Sequence, residues 1–533
     1  MDRCKGTPYQ ALFGATLGFF IGFAAVALFG PAASRFQEVM GLSPIQVGFL
    51  VAMPSLSGSL LRIPFSAWVD TTGGRKPFLV LLSLSIAGMG GLALVVNLFY
   101  PDRLHSGLYP LLLLLGVLCG CGIAIFSVGI TQVSYWFPRA RQGRALALYA
   151  GIGNLAPGIF SFLLPIALVT WGLLGAYSAW LTLLVIGAVA YGFTGCNAWY
   201  FQLRHQGLPP EEARRLAQAH GEEFFPSEGI RESLAISARN WKTWALLSVY
   251  FSTFGGFVAL TAWLPIYWTS YFAVSAVAAG ALTGGYSILT SGIRLLGGVL
   301  SDELREGGEN TAILGLFIML FGAVLMTTTE HFQVAVPGVL LMAVGMGICN
   351  AAVFKIVPQE VPDAVGGAAG WIGGLGAFGG FVIPPIMGAA VRQHGEMGYP
   401  LGFITFVVLA LLSLSLMWVL KYSRPLSAAE TGRVAPAGID ADEQMSATGD
   451  RVPAYRVIID TSRCWEHATS DGNLPCDVCA RACQEVFEKP LPNAPARVRR
   501  GAEVGCHLPG VREAIRRCPA NSILLVELVD TES

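Results

Sequence analysis

Long apolar runs separated by short polar segments dominate the chain up to about residue 421. A bilayer span needs about 20 consecutive apolar residues in helical form, so each run of that length predicts a membrane helix. The longest connection between such runs follows the sixth. The twelve predicted spans are 10–34, 44–69, 77–99, 107–136, 144–171, 173–203, 241–269, 275–300, 311–328, 332–356, 364–391 and 399–421. The pattern therefore predicts two sets of six membrane helices.

Composition and charge agree with a membrane protein. The mean hydropathy is +0.58, and only 13% of the residues are charged, against about 25% in soluble domains. The net charge is zero, which provides no basic surface for nucleic acid. Alternate loops are rich in basic residues, and by the positive-inside rule we expect them, with both termini, on the cytoplasmic side of the cell (inner/plasma) membrane. These residues are Arg75, Lys76, Arg139, Arg141, Arg204, Arg214, Arg215, Arg231, Arg239 and Arg305.

These patterns divide the chain into five segments. The two transmembrane halves occupy 1–203 and 241–421 and are joined by a cytoplasmic linker at 204–240. A polar linker at 422–453 leads to a cysteine-rich segment at 454–533. In that segment "YRVIID" and "SILLVEL" predict strands, and "VREAIRRC" predicts a short helix. The expected fold class is an all-α membrane protein with twelve transmembrane helices in two six-helix halves, plus a small α+β C-terminal domain.

Two arginines stand inside predicted spans, at matching positions in the two halves. "LLRIPFSAWVD" (60–70) and "GIRLLGGVLSD" (292–302) each place an arginine eight residues before an aspartate. Arg62 belongs to the second span and Arg294 to the eighth. A single such residue has an ordinary structural explanation, a side chain that extends to the membrane surface. A matching pair favours function, because transporters with internal repeats bind substrate near the midplane between the repeats.

The charge of this arginine pair needs a partner. A charged side chain at the bilayer centre costs at least about 2.5–3.5 kcal/mol on insertion scales. The acidic residues nearest in sequence all fall at span ends: Asp70, Asp302, Glu330 and Asp363. Because the planar guanidinium fork suits planar oxyanions, the pair predicts a small, planar, monovalent oxyanion as substrate. An empty site would leave two uncompensated cations, so we expect obligatory exchange, with proton symport as the alternative.

Two glycine-rich stretches also match across the halves. "GIGNLAPG" (151–158) lies in the fifth span, and "GAAGWIGGLGAFGGF" (367–381) lies in the eleventh. Glycine weakens a helix by about 1 kcal/mol relative to alanine, so these glycines need a reason. One reason is close packing between helices. The other is close approach of the backbone to a small substrate, which would put Gly153, Gly373 and Gly376 at the site, and both reasons can hold together.

The twelve spans resemble the major facilitator superfamily and, within it, the nitrate/nitrite porter family. "WVDTTGGRK" (68–76) is similar to the superfamily's loop motif, and "GGVLSD" (297–302) is similar to its second-half counterpart. The glycine stretches and the two arginines resemble the family's signatures. The resemblance implies a transporter of nitrate and nitrite that works by alternating access and is not an enzyme. Two other functions stay open: transport of another small anion such as formate, and an anion or redox sensor with a zinc-binding tail.

The resemblance also assigns roles to individual residues. It implies a gating loop with Asp70, Arg75 and Asp302. The sequence departs from the family at Ala156 and Pro157, where glycines are usual. Pro157 is expected to kink the fifth span. The residues that the resemblance adds to the anion pocket are Asn154, Phe126, Tyr250 and Phe254.

The last 80 residues hold six cysteines. Their spacing resembles the C-x2-C-x2-C-x3-C-P pattern of bacterial ferredoxins, in which a distant C-P supplies another ligand. The resemblance implies a ferredoxin-like domain with one iron–sulfur cluster, expected as 4Fe-4S, and a cytoplasmic nitrate or nitrite reductase as its partner. The implied ligands are Cys464, Cys476, Cys479 and Cys518, with Cys483 and Cys506 as free thiols, a disulfide or alternative ligands. A zinc site stays open, since Cys464-x2-His467 and Cys476-x2-Cys479 also have zinc-ligand spacing.

Overall fold

The computed structural model of the chain describes residues 4–226, 230–303, 307–361 and 364–423, and four strands of the C-terminal segment. The chain divides into two compact units, Met1–Ser427 and Ala428–Ser533. The described part of the first unit is helical. The strands belong to the second unit.

Within the described residues, twelve helices are long and apolar enough to cross a membrane. They confirm the twelve predicted spans and the long connection after the sixth. In chain order these spans are Pro8–Met40, Pro44–Thr72, Arg75–Phe99, Ser106–Trp136, Arg144–Thr170, Gly172–Thr194, Trp241–Tyr271, Ala276–Ser301, Gly308–Thr328, Phe332–Val357, Gly367–Leu401 and Ile404–Tyr422.

The sixth span ends earlier than predicted, at Thr194 rather than near residue 203. Gly195 takes an extended conformation with ψ 100°, and the chain restarts as a separate helix, Trp199–His205. The buried Glu222 carboxylate caps that helix by accepting its first two backbone N–H groups, at 2.5 and 3.1 Å. Burial raises the pKa of Glu222 to about 7. This carboxyl group therefore changes its charge near neutral pH.

Five spans are interrupted, where the prediction had continuous helices. Span one consists of Pro8–Phe23, two 3-10 turns, Ala24–Ala27 and Gly30–Ala32, and Ala33–Met40. Interruptions of this kind let membrane helices present backbone groups and side chains to a site. Span five breaks just before Pro157, which occupies the first turn of the second helix, where proline is tolerated. The pieces are Pro44–Leu60 and Arg62–Thr72 in span two; Arg139–Gly153 and Ala156–Thr170 in span five; Trp241–Tyr250, a π-helical turn Phe251–Gly255 and Gly256–Tyr271 in span seven; Val365–Leu375, a 3-10 turn Gly376–Phe378 and Gly379–His394 in span eleven.

The connection between the halves contains the helices Pro210–Ala219 and Ile230–Arg239. The second of these packs against the start of span eleven, where the Trp371 indole N–H donates to the Leu234 carbonyl at 3.0 Å. Beside it, the Lys242 ammonium forms a 2.7 Å salt bridge with Glu360. The Trp371 contact attaches the connection to the second half, and the salt bridge joins spans seven and ten within that half.

Glycines bring the two halves together on the membrane side opposite that connection. A Cβ added to Gly48 in span two would lie 2.6 Å from the Pro384 carbonyl oxygen in span eleven. One added to Gly280 in span eight would lie 2.5 Å from the Ser161 carbonyl oxygen in span five. Real Cβ atoms do not approach carbonyl oxygens so closely, so the halves meet here backbone to backbone.

The described strands of the second unit form two antiparallel pairs. Ala454–Ile459 pairs with Ile523–Leu528, and Phe487–Glu488 pairs with Arg497–Val498. The first pair occupies the positions at which "YRVIID" and "SILLVEL" predict strands. The predicted helix "VREAIRRC" and all six cysteines lie outside the described residues: Cys464, Cys476, Cys479, Cys483, Cys506 and Cys518.

The packing predicts different outcomes for two helical glycines in the first half. A Cβ on Gly120 would collide with the Pro54 carbonyl oxygen, whereas a Cβ on Gly90 would meet nothing within 4 Å among the described residues. We expect Gly120→Ala to destabilise the protein by about 1–3 kcal/mol through overpacking. The matched control Gly90→Ala should be neutral or slightly stabilising. Melting temperatures in detergent measure both, and equal values would contradict the packing.

Candidate functional site in the membrane unit

Arg62 begins the second helix of span two and is buried, with 1% of its surface exposed. Its Nε donates to the Gly58 carbonyl at 3.0 Å, and its Nη1 donates to the Gly373 carbonyl at 2.8 Å. Gly373 belongs to span eleven, so this hydrogen bond joins the two halves. Nη2 finds no partner among the described residues. The guanidinium therefore keeps donors available for a ligand.

Arg294 of span eight is half-buried and therefore more accessible than Arg62. Its guanidinium carbon lies 5.8 Å from the centre of the Phe254 ring, and that of Arg62 lies 5.4 Å from the same point. The two carbons are thus no more than about 11 Å apart. Across the described ranges, no carboxylate lies within 4.0 Å of either guanidinium. The site holds two positive charges without an acidic partner from these residues.

The three predicted pocket aromatics lie together around this charge. The Tyr250 and Phe254 rings stack at 4.9 Å with an angle of 5° beside the π-helical turn of span seven. The Phe126 ring lies 6.4 Å from Phe254, and its centre is 4.9 Å from the Arg62 guanidinium carbon. Aromatic faces at this distance attract a cation. The buried Tyr250 hydroxyl lies near Arg294 but forms no well-aligned hydrogen bond with any described residue.

Asn154 lies at the break in span five and is buried. Its backbone carbonyl accepts a hydrogen bond from the Ser291 hydroxyl of span eight at 2.9 Å, so it also connects the halves. Its Oδ1 lacks a partner within the part of the chain that the structure describes. Buried polar atoms are almost always paired in native proteins, so an unpaired one indicates room for a ligand or water.

The three predicted site glycines have different surroundings. A Cβ on Gly153 would collide with the Phe19 ring, and one on Gly376 would lie 2.7 Å from the Tyr250 ring. These two glycines make room for aromatic side chains. A Cβ on Gly373 would lie 3.8 Å from Phe354, its nearest described neighbour, so space remains beside this residue.

The predicted gating residues make their described contacts inside the first half. The Tyr135 hydroxyl donates to the Asp70 carboxylate. The Arg75 guanidinium donates to the Gly192 carbonyl at 2.8 Å. Asp302 lies near the end of the helix Ala276–Glu303, and its side chain is outside the described part. A gating role for these residues stays a prediction.

Phe19 and Tyr149 support the pocket, although the sequence pattern does not single them out. Phe19 packs against Phe126 at 5.3 Å and against Tyr149 at 5.1 Å. The Tyr149 hydroxyl donates to the Ile125 and Phe126 carbonyls, both at 3.1 Å. An aromatic residue inside an apolar run carries no signal of its own, and only the contacts identify these two.

The glycine environments predict separable effects. Gly376→Ala should displace the Tyr250 ring and lower both the melting temperature and transport. Gly373→Ala should preserve the melting temperature, because the added methyl enters free space, but should weaken ligand binding if that space holds the ligand. Thermal melting and transport KM measure both variants. A normal KM for Gly373→Ala would show that the ligand stays away from this backbone.

Several curated proteins share most of the membrane unit. The chain is 30% identical over 442 residues to the "Probable nitrate/nitrite antiporter NarK1" of Thermus thermophilus, covering 79% of this chain and 92% of that protein. It is 27% identical over 415 residues to the "Probable nitrate transporter NarT" of Staphylococcus epidermidis, covering 78% and 97%. It is 26% identical over 407 residues to the "Nitrite extrusion protein" of Bacillus subtilis, covering 75% and 92%.

Solved structures and a family profile agree on the fold. The xylose transporter XylE from E. coli, in a partially occluded inward-open conformation, matches with a TM-score of 0.58 and 15% identity over 79% of this chain and all of that one. The profile of the Major Facilitator Superfamily matches residues 15–384. The twelve spans, the profile and the similar proteins together show that this chain belongs to the Major Facilitator Superfamily.

Proposed function

We propose that this protein carries nitrate and nitrite across the membrane and exchanges one anion for another. The observation that carries the proposal is the pair of guanidiniums, both within about 6 Å of the centre of the Phe254 ring, with no described carboxylate to neutralise them. The names of three similar proteins, which refer to nitrate or nitrite, support this choice of anion.

The chemistry of the site favours a small planar oxyanion. Guanidinium groups donate paired hydrogen bonds in a plane, and nitrate and nitrite are planar acceptors that stay ionised at physiological pH. Arg62 offers Nη2, and the Tyr250 hydroxyl offers a further donor. The flat faces of Phe126 and Phe254 exclude water around the guanidinium of Arg62, which strengthens its attraction for an anion.

Exchange follows from the same charges. A bound monovalent anion lowers the positive charge of the site, whereas an empty carrier would have to close around both guanidiniums. Because Arg62 donates to Gly373 in the other half, charge compensation at Arg62 acts on the contact that must rearrange during alternating access. We therefore propose that the loaded carrier reorients much faster than the empty one. Proton coupling is the weaker alternative, because it usually needs an intramembrane Asp, Glu or His near the site.

Reconstituted exchange tests the proposal. Proteoliposomes loaded with nitrate, nitrite, formate or an impermeant anion are placed in labelled nitrate at several pH values. We expect uptake only with internal nitrite or nitrate, and little dependence on pH. Uptake driven by a proton gradient would favour symport, preferred exchange of formate would favour a different anion, and binding without uptake would favour a sensor.

Lysine substitutions at the two arginines test the planar fork. Arg62→Lys and Arg294→Lys keep the charge but lose the paired donors, and we expect each to lower the exchange rate at least about tenfold, equivalent to one charge-assisted hydrogen bond. The control Arg103→Lys changes an exposed loop residue and should leave exchange unchanged. Near-normal exchange in both site variants would contradict the assignment.

We also propose that the C-terminal segment binds one 4Fe-4S cluster through Cys464, Cys476, Cys479 and Cys518. The strand register supports this, because Ile459 pairs with Ile523, and Cys464 follows Ile459 by five residues while Cys518 precedes Ile523 by five. The segments that contain Cys464 and Cys518 are therefore connected to the same end of this strand pair. A cluster in this position would serve as an electron donor to a cytoplasmic nitrate or nitrite reductase, which agrees with the proposed cytoplasmic location of both termini.

Metal analysis tests the tail separately from transport. Anaerobically purified full-length protein should contain about four iron and four sulfide per chain. It should also be coloured, with the visible absorbance of an iron–sulfur protein. Cys476→Ser combined with Cys479→Ser should remove both while leaving nitrate exchange intact. A colourless protein with one zinc per chain would replace the cluster by a zinc site.

A further inference from the structure

Asn350 of span ten is a buried polar residue that none of the sequence motifs contains. It lies within the helix Phe332–Glu360, and 1% of its surface is exposed. Neither its Nδ2 nor its Oδ1 has a hydrogen-bond partner among the residues that the structure describes. A primary amide offers two donors and an acceptor, and burying all of them unpaired is costly. A native membrane helix that keeps such a group needs a reason for it.

The helix face that carries Asn350 turns toward the aromatic pocket. Met346 and Phe354 lie four residues on either side and therefore share this face. The Met346 sulfur accepts a hydrogen bond from the Tyr286 hydroxyl at 3.2 Å. The Phe354 ring meets the Tyr250 ring edge-on with centres 5.1 Å apart. Asn350 thus lies one turn from Phe354, which contacts Tyr250 of the pocket.

Asn350 also lies at the depth of Arg294, because spans eight and ten pack closely there. A Cβ on Gly347 would lie 2.6 Å from the side chain that precedes Arg294 in the chain. One turn further along, a Cβ on Gly297 would lie 3.1 Å from the Ala351 Cβ. Arg294 and Asn350 fall between these two contacts, one on each helix.

We infer that Asn350 is a further anion-recognition residue, whose amide N–H donates to the bound anion while its Oδ1 accepts an N–H from Arg294. The inference rests on the proposed function. It gives a role to a buried amide that finds no partner among the described residues. It also gives each half one buried amide near the site, Asn154 in span five and Asn350 in span ten. A group that donates only when an oxyanion oxygen is present adds affinity and fixes the orientation of the anion.

Asn350→Leu tests the inference because it removes both polar atoms at similar volume. We expect the KM for nitrate in reconstituted exchange to rise roughly tenfold or more, the loss expected for a hydrogen bond to a charged group. The melting temperature should stay the same or rise, because an unpaired buried amide is replaced by an apolar group. Thr311→Val in span nine is the matched control, since the Thr311 hydroxyl is also buried without a described partner. The KM of the Thr311→Val variant for nitrate should equal that of the wild type.

A carboxylate at the same position provides a second, independent readout. Asn350→Asp would place a fixed negative charge at the depth of Arg294, and we expect it to weaken nitrate binding more than Asn350→Leu does. It should also increase nitrate efflux into a medium without an external exchange partner, because the fixed charge replaces the anion during the return of the carrier. If Asn350→Leu does not fold, Asn350→Ser serves in its place, with the same expected rise in KM.

The outcomes separate this inference from the proposed function. An unchanged KM in Asn350→Leu together with a lower melting temperature would assign Asn350 a structural role and overturn the inference. If wild-type protein exchanges nitrate and Arg62→Lys is impaired while Asn350→Leu and Asn350→Asp behave like wild type, only the inference fails. If wild-type protein exchanges no nitrate, the proposed function fails, and this inference fails with it.

Discussion

The hydrogen bond from Arg62 to the Gly373 carbonyl is the interaction on which the site depends. Together with the hydrogen bond to the Gly58 carbonyl, it holds the buried guanidinium in place. The described residues supply no carboxylate within 4.0 Å to neutralise the charge. A cation at this depth costs at least about 2.5–3.5 kcal/mol on insertion scales, and carbonyl dipoles offset only part of that cost. Since the bond also joins the halves, the charge of the site and the motion of the halves are physically connected.

The surrounding architecture buries this guanidinium while leaving its Nη2 without a partner among the described residues. Breaks in spans two, five, seven and eleven bring backbone turns toward the site, as in other transporters with interrupted helices. The glycines in the two stretches have different roles. Gly153 and Gly376 make room for the rings of Phe19 and Tyr250, whereas Gly373 accepts a hydrogen bond from Arg62 through its carbonyl and leaves space beside its Cα. The packing and substrate explanations of these glycines therefore apply to different residues of the same stretches.

The sequence predicts the spans well because bilayer thickness sets their length, and it identifies Arg62 and Arg294 because charges in apolar runs are rare. Resemblance adds Asn154 and the pocket aromatics. Other features depend on contacts between residues distant in sequence. The sixth span ends early because Glu222 caps a separate helix, and no periodicity reveals that. The exposure of Arg294 depends on how the neighbouring helices pack around it. Asn350 belongs to no sequence motif, and only its burial and its missing partners identify it.

The central claim is that a bound anion is the counter-charge that lets the carrier reorient. Its most direct test is the rate at which labelled nitrate leaves proteoliposomes into two media under clamped membrane potential. One medium contains nitrite, and the other contains only an impermeant anion. The account predicts fast efflux into nitrite and efflux at least about tenfold slower into the impermeant anion, equivalent to about 1.4 kcal/mol for reorienting the empty site. Equal rates in the two media would show that the empty carrier returns freely and would contradict the account.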